Sequence, residues 1–338
     1  MQLEHATIPP YLVALYSIHH GTNADAVNVL RVVAVEEMLH LTLAANILNA
    51  VGGTPCLTDP GFVPSYPAYV PDGETDFLVD LQPFSKEAVR TFMKIERPVE
   101  APSEDERIVR RHRPRGGGLA ANPAGEGMHY FSIGEFYMEI VHGLKFLHTK
   151  EGDALFSGDP SRQVEAEHYY SAGNRLFAVT DINSAVAAAK VIIGHGEGFG
   201  GTIYDRAHEL AHFYRFEELL RGRHYQAGDK PHTPTGPVFG VQWDAVYPIK
   251  KNAQLSDYPE SSELHAAAAA FNSSYADFLG QLTTAYNGQP QLLLKAIPQM
   301  FALRNKMVQL IHHPIPGIDG VNAGPTFEIT GIPSVVSP

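Results

Sequence analysis

Apolar residues recur at helical spacing along most of the chain. Over residues 3–20, Ile8, Tyr11, Leu15 and Ile18 form one stripe, and Pro9-Pro10 inside it predict a kink or break. A second helix starts near Asp25, a cap candidate. It carries Leu30, Val33, Ala44 and Ile47 on one face and stops at Gly52-Gly53. Residues 54–84 are rich in Pro, Asp and Gly, with Phe77–Leu81 a candidate short strand. Ser85–Glu96 predicts a short helix capped by Ser85, and 97–128 a long polar loop. Ile133, Phe136, Tyr137, Ile140, Val141 and Leu144 predict a third long helix over 130–148. Asp181–Ile193 and Ile203–Arg221 predict a fourth and a fifth, the last with Phe216 and Leu219 in its stripe. After a Pro/Gly-rich stretch over 222–260, Ser262–Tyr286 and Pro290–His312 predict two more, and the tail from Pro314 predicts extended chain on the surface. Strand signals are sparse, and no repeat of about 20–50 residues is visible. The fold class is therefore mainly α. We expect a bundle over 1–221 with 54–128 as an inserted loop region, and a helical extension over 222–338 packed on it as one unit.

Composition narrows this picture. The 338 residues are 44% hydrophobic and 18% charged, which excludes a disordered chain or a coiled coil. No apolar run reaches the roughly 18 residues of a membrane span, and the first residues lack a basic region followed by an apolar one. The single Cys56 rules out an internal disulfide and fits a reducing, cytoplasmic setting. A net charge of −12 argues against nucleic acid as a partner. The cluster Arg107, Arg110, Arg111, Arg113 and Arg115 is a local exception. It reads first as a solvated loop, with an anion clamp as the alternative.

The candidate chemistry lies in Glu and His. Residues three apart share a helix face, so Glu-x-x-His points a carboxylate and an imidazole at one spot. The chain holds five such pairs, where chance gives about one: Glu37/His40, Glu126/His129, Glu139/His142, Glu165/His168 and Glu209/His212. Glu126/His129 and Glu165/His168 fall in loop-like segments and lose that geometry. Glu37 and His40 interrupt the apolar stripe of the second helix, and Glu209 and His212 share a face with Phe216 and Leu219. Charged groups in an apolar stripe need a neutralising partner. Two Glu-x-x-His pairs plus one Glu from each of two other helices form a dinuclear carboxylate core. Glu4 and Glu135 supply the single carboxylates, with Glu139 and His142 as substitutes for Glu135 or as supports for it. The expected metal set is Glu4, Glu37, His40, Glu135, Glu209 and His212, with Glu37 and Glu209 bridging or chelating as the catalytic carboxylates. Hard carboxylates with imidazole suit iron or manganese. The Gly196–Gly201 stretch matches a dinucleotide fingerprint but follows a helix, so it reads as a turn, with Glu197 as a spare carboxylate. Tyr11, Tyr16 and Tyr137 lie near the proposed ligands and read first as core residues.

Several segments resemble a known family. They are Leu3-Glu4-His5-Ala6-Thr7-Ile8-Pro9-Pro10-Tyr11-Leu12, Glu36-Glu37-Met38-Leu39-His40, Ile133-Gly134-Glu135-Phe136-Tyr137 and Glu209-Leu210-Ala211-His212-Phe213-Tyr214-Arg215-Phe216. Together they resemble the ferritin-like domain of the iminophenyl-pyruvate dimer synthase type, found in the imine dimer synthases of violacein and rebeccamycin biosynthesis. The likeness continues through Val246-Tyr247-Pro248, Phe271-Asn272 and Ala323-Gly324-Pro325-Thr326-Phe327-Glu328. The resemblance implies a ferritin-like four-helix bundle with additional C-terminal helices, and it supports the same metal set. The function expected is a non-haem dinuclear iron or Mn/Fe oxidoreductase of secondary metabolism. It would hold two iron ions, with manganese as the alternative, and use O2 on a small organic substrate such as an amino-acid-derived imine. The partners expected are that substrate and O2, with no membrane and with a homo-oligomer left open. Two rivals stand beside it: a ferroxidase-like metal-binding protein without organic turnover, and a structural bundle with a vestigial site.

Overall fold

The structure is a computed structural model that describes residues 1–72, 75–98, 130–170, 175–198 and 201–329. Eight α-helices lie among them: α1 (Gln2–Ser17), α2 (Ala24–Ala50), α3 (Lys86–Ile95), α4 (Ile133–Glu151), α5 (Ile182–Glu197), α6 (His212–Arg221), α7 (Glu263–Tyr286) and α8 (Leu292–Ile311). The only β pairing among the described residues is isolated bridges. Phe77–Leu81 contributes one of these, Val79 to Ala68, in place of the expected strand.

Local chemistry sets where the helices begin. Ser85, Ser132, Asp181 and Ser262 each accept an amide hydrogen bond at the start of α3, α4, α5 and α7. Asp25 does not cap α2; the cap position falls to Asn23, which holds a left-handed φ of 50°. Pro9 and Pro10 do not break α1, which runs on to Ser17. Proline at position 10 leaves the Ala6 carbonyl without its helical donor, and the Tyr66 hydroxyl donates to it instead at 2.8 Å.

α1 and α2 form the central pair, with thirteen α1 residues and eighteen α2 residues buried. α4 and α5 pair and dock on α2 through α5, while α3 and α6 pair across one end. The α7–α8 hairpin packs on α1 and α2, and Thr42 of α2 meets the Tyr286 hydroxyl at 3.0 Å. One apolar cluster runs without interruption from Leu3 through Leu30, Phe92, Val141 and Ala189 to Phe271 and Leu310.

The tail departs from expectation. Ala323–Phe327 is buried rather than spread over the surface. The Phe327 ring packs edge-on at 5.0 Å from both Phe271 and Tyr275, and Asn272 Oδ1 accepts from the Thr326 hydroxyl and the Glu328 amide. Burying an aromatic ring of this kind contributes about 1.5–3 kcal/mol, enough to hold an irregular segment in place. No described helix is long and apolar enough to cross a membrane.

Candidate metal centre

Five acid and imidazole side chains converge where α1, α2, α3 and α6 meet. Glu4 comes from the first turn of α1, Glu37 and His40 from mid-α2, Glu96 from the residue after α3, and His212 from the first position of α6. They make two groups, Glu4–Glu37–His40 and Glu37–Glu96–His212, each with one donor atom per residue and all donors of a group within 4.8 Å of one another. His40 Nδ1 lies 3.3 Å from Glu37 Oε1 and 3.5 Å from Glu4 Oε2. His212 Nδ1 lies 3.1 Å from the same Glu37 oxygen and 3.4 Å from Glu96 Oε2. All five side chains are at most 2% exposed.

The residues fit a metal pair. Glu4 Oε2 and His212 Nδ1 are buried without a hydrogen bond, an expensive state that a cation relieves. Three carboxylates with two imidazoles form a hard-to-borderline donor set suited to iron or manganese. Residues of both groups would hold the pair, with Glu37 shared between the two ions.

The outward-facing atom of every donor is tied down. Tyr137 donates to Glu4 Oε1 at 2.6 Å, Tyr11 to Glu96 Oε1 at 2.6 Å, and Thr7 to Glu37 Oε2 at 3.2 Å. His40 Nε2 lies 2.9 Å from His195 Nδ1, and His212 Nε2 lies 2.9 Å from Glu36 Oε2. Such partners fix ring orientation and ligand basicity. Behind Glu36 stand Arg175 at 2.9 Å and Arg215 at 3.8 Å; behind His195 stands Asp205 at 3.6 Å.

The charges are strongly coupled. Burial by itself would lower His40, but Glu37 and Glu4 beside it outweigh that and raise it to about 9. His212 follows the same pattern: burial lowers it, and Glu96, Glu36 and Glu37 lift it well above its ordinary value. Burial works to raise Glu37, yet His40 and His212 hold it far below the usual carboxylate range. Burial and then the Glu37 charge raise Glu96. Burial and then His40 push His195 down to about 2, so it stands neutral.

Of the expected ligands, the structure brings Glu4, Glu37, His40 and His212 together and leaves out Glu135 and Glu209. Glu135 sits in the first turn of α4, where its carboxylate turns back to accept from the Phe131 amide at 2.7 Å. The same helix instead presents Tyr137 to Glu4. Glu209 precedes α6, because the expected helix over 203–221 forms only from His212. Asp205 Oδ1 accepts the amides of Ala207 and Glu209, His208 takes a φ of 61°, and Tyr204 bridges to Leu210, so the chain reverses there. Glu209 is thereby left 46% exposed and pairs with Arg175 at 3.0 Å, away from the metal-facing atoms. Glu139 and His142 form a surface pair at 3.4 Å. Glu197 accepts from Ser132 and from the Gly134 amide, both at 2.8 Å, and anchors the start of α4 rather than the centre. Glu165 is exposed. Tyr16 is half-buried beside Arg304. Glu126, His129 and the Arg107–Arg115 cluster lie outside the described residues.

Glu96, Glu36 and His195 escaped the sequence reading. Glu96 continues the Val89–Phe92 stripe at helical spacing, and an acid ending an apolar stripe was its one available signal. Ala6, Thr7, Tyr66, Tyr69, Val70 and Ile95 line a small, tightly packed apolar recess, and Thr7 borders the centre as well, through Glu37 Oε2.

The ferritin-like family model matches residues 1–221. The chain belongs to the ferritin-like family. It is 27% identical over 335 residues to dichlorochromopyrrolate synthase of Lentzea aerocolonigenes, an alignment covering 90% of this chain and 30% of that protein. The chain thus spans under a third of the length of that relative. The crystal structure of a ferritin-like protein from Caulobacter vibrioides at 1.95 Å resolution matches with a TM-score of 0.59 and 24% identity, covering 90% of each chain, and shows the shared fold. The fold, the buried donors and the distant homology to a biosynthetic enzyme together support a metal-dependent function for this ferritin-like chain.

Proposed function

We propose that the chain is a non-haem dinuclear oxidoreductase, with iron or a manganese–iron pair, that uses O2 on a small organic substrate. The observation that carries this reading is the buried Glu37 carboxylate shared by two acid–imidazole groups. When bound, the metal pair supplies the electrons for O2 reduction, chemistry the side chains lack. The chain's own residues hold and shape the site. Glu37 spans both positions while Glu4 and Glu96 each serve one, and the Tyr137 and Tyr11 phenols lock those two carboxylates by hydrogen bonds of 2.6 Å. Burial keeps bulk water out. The Thr7 hydroxyl stands 2.8 Å from the Glu4 carbonyl and 3.2 Å from Glu37 Oε2, which ties the shared carboxylate to the first turns of α1.

The relative's name, a synthase of dichlorochromopyrrolate, supports biosynthetic chemistry on a small organic molecule, and an amino-acid-derived imine is the substrate class we assign. The partners assigned are that substrate and O2, in a cytoplasmic setting, with a homo-oligomer compatible. The test is anaerobic loading with Fe(II), followed by O2 with a panel of amino-acid-derived imines and mass analysis of the products. An oxidised or coupled product that requires both iron and O2 is expected. O2 consumption with every organic compound unchanged contradicts the reading and favours metal handling.

A further inference from the structure

We infer that the two metal positions fill unequally, the Glu37–Glu96–His212 position before the Glu4–Glu37–His40 position, so that the chain has a stable one-metal form. This rests on the dinuclear reading above. The two positions match in almost every respect. Each position has the shared Glu37, one further buried carboxylate and one imidazole presented through Nδ1. Each further carboxylate accepts one tyrosine hydroxyl at the same 2.6 Å, Glu4 from Tyr137 and Glu96 from Tyr11. Each imidazole meets an outer partner at the same 2.9 Å.

What differs is the nature of that partner. His212 Nε2 donates to the Glu36 carboxylate. Arg175 holds the other Glu36 oxygen at 2.9 Å, which leaves Oε2 for the imidazole, with Arg215 3.8 Å from it. His40 Nε2 meets the ring nitrogen of His195, whose far nitrogen is 3.6 Å from Asp205, too long for a hydrogen bond. An imidazole donating to a carboxylate is a stronger σ-donor at its other nitrogen than one donating to a second imidazole. Outer partners of this kind are worth about 10–100-fold in metal affinity. Glu36 is therefore a positioning residue for the first ion, and His195 plays the weaker part for the second.

The test is titration of the metal-free full-length chain with Mn(II), following free Mn(II) by electron paramagnetic resonance. Crystals grown at one equivalent locate the bound ion by anomalous scattering. Two steps separated by about 10–100-fold are expected, with the first ion beside His212. Glu36→Gln should weaken the tight step by about tenfold or more and leave the weak step in place. His195→Gln should leave the tight step unmoved. Equal anomalous peaks at both positions, a first ion beside His40, or two steps that shift together in Glu36→Gln would overturn the inference. Should Glu36→Gln fail to fold by circular dichroism, the location of the first ion in the unsubstituted chain still decides. No Mn(II) binding at all would overturn the dinuclear reading itself, and this order with it.

Discussion

Glu37 Oε1 lies 3.3 Å from His40 Nδ1 and 3.1 Å from His212 Nδ1, and among the described residues no other carboxylate belongs to both groups. Glu96 then matters more to the centre than Glu209, although Glu209 has the spacing of a ligand. Elemental analysis of Glu96→Ala after gel filtration should find retained metal falling from two ions per chain towards one, while Glu209→Ala keeps both. The reverse pattern would restore the spacing-based ligand set. The metal-free centre also carries a pH signature. His40 is raised from 6.5 to about 9 in the fold, so its stabilising contribution is complete below about 6.5 and is lost as pH rises through about 9. The rise of His212 has the same sign, and so does that of Glu96 over the range between its ordinary and folded values. The lowered Met1 amine, His5 and His195 act with the opposite sign, mainly below pH 8. The urea midpoint of the metal-free chain should therefore fall between about pH 8 and 9, where the raised imidazole dominates; a midpoint that rises there contradicts the coupling described.

At the scale of elements, the helices that carry a long apolar stripe were legible and the connections were not. α2, α4, α7 and α8 follow their periodicity because packing an amphipathic face is what stabilises a helix. The Glu209-x-x-His212 spacing misled because spacing presumes helix, and the Asp205 carboxylate captured the amides that a helix needs. The Pro9-Pro10 break misled in the opposite direction, since a tyrosine from a distant loop supplied the missing donor. Gly134 marks a close approach of elements that no periodicity reveals: a Cβ there would stand 2.1 Å from Glu197 Oε1. Gly134→Ala should drive Glu197 off Ser132 and the residue 134 amide. Leaving the buried Ser132 hydroxyl and that amide without their acceptor costs about 1–3 kcal/mol in urea denaturation. An unchanged midpoint would mean that α4 is not anchored through Glu197.

At the scale of the molecule, the C-terminal segment belongs to the same apolar cluster as the metal-bearing helices. Residues 323–327 are buried against α7, which itself packs on α2. Phe327→Ala should therefore destabilise the whole chain by about 3–5 kcal/mol, as truncation of a buried aromatic does. A loss confined to local exchange of the tail amides, with no change in the global transition, would show a separable tail. The mainly helical class was visible from sequence because helical spacing persists over most of the chain. The buried course of the tail was not visible, because Gly and Pro hide how few apolar residues anchor it.

The most direct test is the metal content of the purified chain after expression with iron and manganese supplied. About two transition-metal ions per chain are expected, lost together in Glu37→Ala because that carboxylate is common to both positions. A well-folded chain that carries no metal, or one whose full complement survives Glu37→Ala, would contradict that expectation.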